Sequence, residues 1–329
     1  MGAARRDLRS RERVSRRAWL LGASAACLTS GCAVFAEPPQ SAALAAAPPA
    51  GLAARVELRE VPFFPQTPYH CGPAALATVL VHGGLPATPE SLADAVFLPA
   101  REGALQTEML AAARRGGALA VPLPPRLQAL LEELAAGHPV LVLLNLSLPF
   151  MPRWHYAVVV GYDLAAREMV LRSGTTERLT MGFSVFERTW ARGAHWAFVA
   201  LPPGRLPVGA TEVDAVQAAI GFERAAAPAQ SLRAYDSLVA RWPDNALAGL
   251  GQGNTRFATG DLRGAAQAFE RVALRHDSAA AWHNLAMTRQ RLGQRDAARV
   301  AARRAVARSR TDEPAWLAAS ESLLRQLAP

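Results

Sequence analysis

Hydrophobic and polar positions divide the chain into two regimes, and the change falls at residues 202–211. Ahead of it, RVELREVPFF (Arg55–Phe64) alternates like a strand. Four stretches with helical patterning follow. CGPAALATVLVHGG (Cys71–Gly84) tolerates Pro73 in its first turn and stops at Gly83-Gly84. TPESLADAV (Thr88–Val96) opens on a Thr-Pro cap, and Thr107–Gly117 and Pro125–His138 each end at glycine. The period then switches to that of strands. PVLVLLNLS (Pro139–Ser147) is a continuous apolar run of the buried-strand kind, and HYAVVVGYD (His155–Asp163), EMVLRSG (Glu168–Gly174) and HWAFVALPP (His195–Pro203) supply three more. Helices followed by antiparallel strands predict an α+β domain.

PPGRLPVGAT (Pro202–Thr211) reads as a linker, and beyond it every segment is helical, alanine-rich and repetitive. Gly260 and Gly293 lie 33 residues apart, and Trp282 and Trp316 lie 34 apart. Small Ala265 and large Phe269 follow the first glycine at helical spacing; Ala298 and Ala302 follow the second, with Trp282 and Leu285 ahead of it. Tyr235 and Pro243 fill equivalent positions upstream. The scheme resembles the tetratricopeptide repeat, in which small residues let two helices per unit approach closely. Three degenerate units and a last helix around Trp316 are expected, enough for a stable stack.

Composition alters this picture mainly at the N-terminus. The net charge of +9 suggests an acidic partner, but residues 5–17 hold seven arginines against Asp7 and Glu12, so the rest of the chain is only mildly basic. Nucleic acid is therefore not expected as a partner. The basic stretch precedes an apolar run, Ala18–Thr29, too short to span a bilayer. SRRAWLL (Ser15–Leu21) resembles a twin-arginine export signal with Trp19 where Phe is preferred. LTSGC (Leu28–Cys32) resembles a bacterial lipoprotein cleavage box, with Thr29 where Leu is usual. These features predict export and a lipid anchor on Cys32, and Ala33 in place of Asp points to the periplasmic face of the outer membrane. Residues 33–55, rich in Pro and Ala, read as a flexible tether.

With the leader removed and Cys32 acylated, Cys71 is the one free thiol of a protein in an oxidising compartment. Such a thiol is an oxidation liability unless it is buried or used. A cysteine nucleophile needs a thiolate, a base, oxyanion donors and a group that orients the base. Cys71 sits at a predicted helix start, where free N–H groups and the helix dipole favour a thiolate. Gly72 would let a substrate approach the backbone. Gln66, on an irregular stretch between Pro65 and Pro68, can donate to an oxyanion together with the Cys71 N–H. His155 opens an apolar strand that could carry its imidazole to the sulfur. His70, His138 and His195 have no partner at ligand spacing, and neither a metal nor a cofactor is expected. Trp154 could line a groove or pack, and the arginine runs at Arg114-Arg115 and Arg303–Arg310 read as solvated helix faces.

PQTPYHCGPAALATVL (Pro65–Leu80) followed by HYAVVVGYD (His155–Asp163) resembles the papain-like cysteine peptidases related to the bacteriocin-processing, double-glycine-leader family, over about residues 60–200. The resemblance implies Cys71 as nucleophile, His155 as base and Gln66 as oxyanion donor. It also implies an Asp at the end of the next strand to orient the histidine. Here that strand ends VLRSG, and Ser173 falls about where the carboxylate would be. A serine can accept from the imidazole but cannot stabilise an imidazolium as a carboxylate does, and losing the carboxylate of a triad costs orders of magnitude in rate. Asp163 belongs at the far end of the strand.

The expected organisation is an export and lipoprotein signal (1–32), the tether (33–55), an α+β papain-like cysteine peptidase domain (56–204) and an all-α tetratricopeptide-repeat solenoid (205–329). The expected activity is hydrolysis of peptide bonds through a Cys-His thiolate and an acyl-enzyme, with a peptide or protein substrate and a protein partner on the repeats. The alternatives are a catalytically weak or inactive papain-like scaffold or peptide-binding lipoprotein of the envelope, and an acyltransferase or amidase using the same nucleophile.

Overall fold

The computed structural model describes residues 36–66, 70–98 and 103–328; the expected leader, Cys32 and residues 33–35 lie outside them. The first regime builds a seven-stranded antiparallel sheet. Its strands are β1 (Arg55–Glu57), β4 (Leu119–Pro122), β5 (Val140–Asn145), β6 (Trp154–Asp163), β7 (Glu168–Ser173), β8 (Thr176–Gly182) and β9 (Ala197–Leu201). Spatial order is β4-β9-β5-β6-β7-β8, with β1 continuing the β5 edge of β6. A separate ribbon pairs β2 (Phe97–Leu98) with β3 (Gly103–Ala104).

Helices cover both faces, which is why β5 is buried along its whole length. On one face lie α2 (Cys71–His82), α3 (Pro89–Val96) and α4 (Gln106–Arg115), whose Leu76, Leu80, Val96 and Met109 pack on Tyr156, Val158 and Val160. On the other lie α5 (Leu127–Ala135) and α6 (Phe183–Ala191), against Ala157, Val159, Met169 and Leu171. The alternation of β6 between two cores is the period-2 consequence of its pleat. Helix α3 is capped by Thr88, as its sequence implied, and Ser91 completes a capping box.

The edge strand β8 and helix α6 were not expected, although Phe183, Phe186 and Trp190 recur at helical spacing in α6. The alternating stretch 55–64 forms a strand only over Arg55–Glu57. Beyond it, the buried guanidinium of Arg172 takes the carbonyls of Arg59 and Val61, and Pro62 has no N–H to give a ladder.

The tether also departs from expectation. Pro39–Ala46 is a helix, α1, and the Glu187 carboxylate accepts from the N–H groups of Gln40 and Ser41 and from the Ser41 hydroxyl. A carboxylate at the open N–H groups of a helix start stabilises it. Leu44 then joins the core beneath.

The second regime forms three consecutive helix pairs: α7 (Glu212–Glu223) with α8 (Pro228–Arg241), α9 (Ala246–Ala258) with α10 (Leu262–His276), and α11 (Ala279–Arg291) with α12 (Arg295–Thr311). A last helix, α13 (Leu317–Gln326), closes the series. Gly260 and Gly293 turn the chain between paired helices with positive φ. Gly251 leaves room for the Tyr235 ring, which a Cβ would strike. The expected α+β domain followed by an all-α repeat region is the architecture observed.

The linker is not a loose hinge. Helix α7 lies against β4, and Val216, Phe222, Tyr235 and Leu238 belong to the same apolar core as the sheet. Arg114, expected on a solvated face, is half-buried against Gly221 of α7. No helix among the described residues is long and apolar enough to cross a membrane.

Candidate active site

Cys71 is the first residue of α2, and the helix behind it is buried from Gly72 to Leu80. That burial fixes the axis and aims the free N–H end of the helix at the start of β6. The backbone N–H groups of Tyr156, Gly72 and Cys71 itself face the thiol and pull its pKa down. Burial outweighs them, so the thiol is held above its ordinary value. Burial therefore opposes the thiolate that the helix start was expected to favour. A helix start favours the anion, but the desolvation around this one costs more than the dipole returns.

His155 stands second in β6, where β5 pairs Leu144 with it. Its Nε2 lies 2.9 Å from Ser173 Oγ. The pleat explains the encounter. Val158 pairs with Arg172, so the same register places Ser173 opposite Ala157, on the face of the sheet that His155 shares. Burial, and then the charge of Arg153, push the imidazole down to about 4. Burial thus works against the charged form of both groups, and no hydrogen bond joins them among the described residues.

Gln66 is drawn to the same place from a third direction. Its N–H donates to the Gly174 carbonyl at 3.0 Å, next to Ser173, and its side-chain amide points to the Tyr156 carbonyl at 3.5 Å. Gln66, Cys71, His155 and Ser173 therefore converge on the start of β6 and the end of β7, although they span more than a hundred residues of sequence. Thr67–Tyr69, between the glutamine and the cysteine, lie outside the described residues.

Some expectations move. Gly72 is buried and does not open the backbone to a substrate; a Cβ there would come 2.9 Å from that of Ala104 and 3.3 Å from Met109 Sδ. Asp163 sits at the opposite end of β6, where its carboxylate accepts from the Ala166 N–H. Trp154 is exposed. Tyr156 was missed: its hydroxyl donates to the Ala104 carbonyl at 3.0 Å, tying the β2–β3 ribbon to the site. Its position beside His155 in an apolar run was the one available signal; its backbone contribution to the thiol leaves none in sequence.

Residues 58–195 match the model of the Peptidase_C39 like family. The match covers less than half of the chain and makes that segment similar to the C39-like peptidases. Among solved structures, the chain is similar to one assigned as a C39-like peptidase from Bacillus anthracis, with 18% identity, a TM-score of 0.38, and coverage of 45% of this chain and 97% of that one. It is also similar to a double glycine motif protease from an AMS/PCAT transporter in complex with the leader peptide, with 19% identity, a TM-score of 0.33, and coverage of 44% and 92%. A thermophilic TPR protein of Thermus thermophilus is similar at 18% identity and a TM-score of 0.29, over 33% of this chain and 60% of that one. No curated protein matches the chain.

Proposed function

We propose that the C39-like domain is a cysteine peptidase in which Cys71 attacks a peptide carbonyl while His155 takes the thiol proton. The observation that carries this reading is the contact between His155 Nε2 and Ser173 Oγ. With Nε2–H donated to serine, Nδ1 keeps a lone pair for the proton. Sulfur then bonds to carbon, the carbonyl electrons move to oxygen, and the Cys71 N–H and the Gln66 amide are the donors available to that oxygen. Collapse expels the amine, which leaves with the proton from His155. Water attacks the acyl-enzyme with His155 again as base, and the thiol is restored. Burial disfavours the charged form of both groups, which supports this general-base route rather than attack by a standing thiolate.

The test is cleavage of a peptide library by the wild-type chain beside Cys71→Ala and His155→Ala. Cleavage by the wild type, lost in both variants, supports the assignment. The serine at His155 Nε2, which cannot stabilise an imidazolium as a carboxylate does, favours the second reading: a peptide-binding domain without efficient catalysis. Binding of peptides by wild type and Cys71→Ala alike, with no cleavage, would establish it.

The envelope setting belongs to the same proposal: export, acylation of Cys32, and a repeat region that holds a protein partner. A mature mass lacking residues 1–31 and carrying acyl chains is the expected result; an unmodified terminus would remove the anchor.

A further inference from the structure

Five of the eleven exposed large apolar side chains among the described residues fall within nine consecutive positions. They are Leu146 (40% exposed), Leu148 (52%), Phe150 (82%), Met151 (64%) and Trp154 (53%), on and beside the loop that joins β5 to β6. The remaining six are scattered valines and leucines on other elements, of the kind that needs no explanation.

This loop is built, not frayed. Asn145, itself buried, accepts from the N–H groups of Ser147 and Arg153 through its side-chain oxygen, at 3.0 and 2.9 Å. Leu146 N–H donates to the Arg153 carbonyl, Met151 N–H donates to that of Leu148, and Pro149 and Pro152 stiffen the tip. The backbone is thus satisfied inward while the apolar side chains point outward. At 82% exposure Phe150 has almost nothing to lie against, so the patch is a convex tip rather than a groove. A convex apolar tip fits a bilayer interface, where aromatic and aliphatic side chains enter between headgroups. Residues 146–154 contain no Asp or Glu, and Arg153 supplies a cation for anionic headgroups.

A second observation fixes which side of the molecule this is. Arg192 holds the Asn145 carbonyl at the base of the loop, at 2.9 and 3.2 Å. Arg188, one turn or ~6 Å back along α6, holds the carbonyl of Ala36 at 2.7 Å. The described chain therefore starts beside the base of the apolar loop.

We propose that residues 146–154 form an interfacial membrane contact that seats the Cys71 site against a bilayer. Since Trp154 adjoins His155, the site would draw on peptides lying at or leaving the membrane surface. This clause rests on the peptidase reading; the contact itself does not, and it does not need Cys32 to be acylated.

The experiment places an environment-sensitive fluorophore on Phe150→Cys in the full chain carrying Cys27→Ser, Cys32→Ser and Cys71→Ser. Leu274→Cys, on the exposed face of α10, is the control position. Vesicles of phosphatidylethanolamine and phosphatidylglycerol carry a spin label near the headgroup end of one acyl chain. The expected result is a blue shift and quenching at position 150 and neither at 274, both reduced when Leu148 and Met151 are changed to serine. Flotation of the chain with position 150 still in water would show tethering by the leader alone and overturn the proposal. Failure to bind vesicles overturns it too, as does a blue shift produced by an apolar peptide and not by vesicles. Cleavage of the peptide library, lost in Cys71→Ala, reads the peptidase assignment separately.

Discussion

Ser173 Oγ lies 2.9 Å from His155 Nε2, a hydroxyl standing where an orienting carboxylate would stabilise an imidazolium. The hydroxyl orients the ring but leaves an imidazolium without a countercharge, beside the burial that holds the histidine down to about 4 and the thiol up. Ser173→Asp should supply a countercharge, raise the imidazole and, through the imidazolium, lower the thiol. Each unit gained by the thiolate is about tenfold in its population, so alkylation of Cys71 by iodoacetamide at pH 7 should speed up about tenfold or more. Ser173→Asn, of the same size and uncharged, should leave the rate unchanged. Equal rates in all three would mean that Ser173 does not govern the pair.

The depressed imidazole also has a stability consequence. Folded His155 resists protonation, whereas in the unfolded chain it binds a proton near its ordinary value of 6.5. Stability is therefore full above that range and is lost as pH falls from about 6.5 towards 4, by at most roughly 3 kcal/mol from this residue. Urea unfolding at pH 7 and pH 4.5 measures it. His155→Gln should lose less stability between the two pH values than wild type. On the proposed role of His155 as base, peptide cleavage should keep its acid limb near pH 4 rather than 6.5.

How far the sequence revealed this site follows from which atoms build it. The helix behind Cys71, the buried β5 run and the His155 strand were legible because apolar periodicity reports burial directly. Ser173 was reachable because strand parity is conserved through an even insertion. Other features left no trace. The N–H of Tyr156 at the thiol is a backbone atom, and the carbonyls of Arg59 and Val61 that Arg172 takes are too. The helix at Pro39–Ala46 depends on Glu187, 146 residues downstream of Ser41, and local composition said only Pro and Ala. Likewise the helix dipole at Cys71 and its burial could each be inferred, but not which of the two outweighs the other at the thiol.

Gly72 shows the same difference between a local and a packed meaning. Its missing side chain accommodates Ala104 and Met109, so Gly72→Ala should push the β2–β3 ribbon away from α2. An overpacked core position of this kind costs about 1–3 kcal/mol. Urea unfolding should show that loss, and the contact between Tyr156 Oη and the Ala104 carbonyl should loosen with it. Unchanged stability would mean that the ribbon yields freely.

The two halves of the chain are coupled through a buried carboxylate. Glu133, fully enclosed on α5, accepts from His138 Nδ1 at 2.7 Å and from the Gly209 N–H at 2.6 Å, while Arg205 Nη2 donates to His138 Nε2 at 3.1 Å. Helix and linker are thus held by one acid, one imidazole and one guanidinium. Removing a partner from a buried charged network costs about 3–5 kcal/mol, because the others are left without their complement. Glu133→Gln keeps the shape and removes the charge, so it should destabilise the chain by an amount near the lower end of that range. The linker should also open locally: trypsin, which needs an extended and mobile backbone, should cut after Arg205 in the variant and not in wild type. Faster amide exchange in α7 but not in α11 would accompany it, since α7 shares the core of the sheet while α11 packs only among the repeats. A variant that resists trypsin and unfolds like wild type would mean that the apolar contact between α7 and β4 holds the halves together without Glu133.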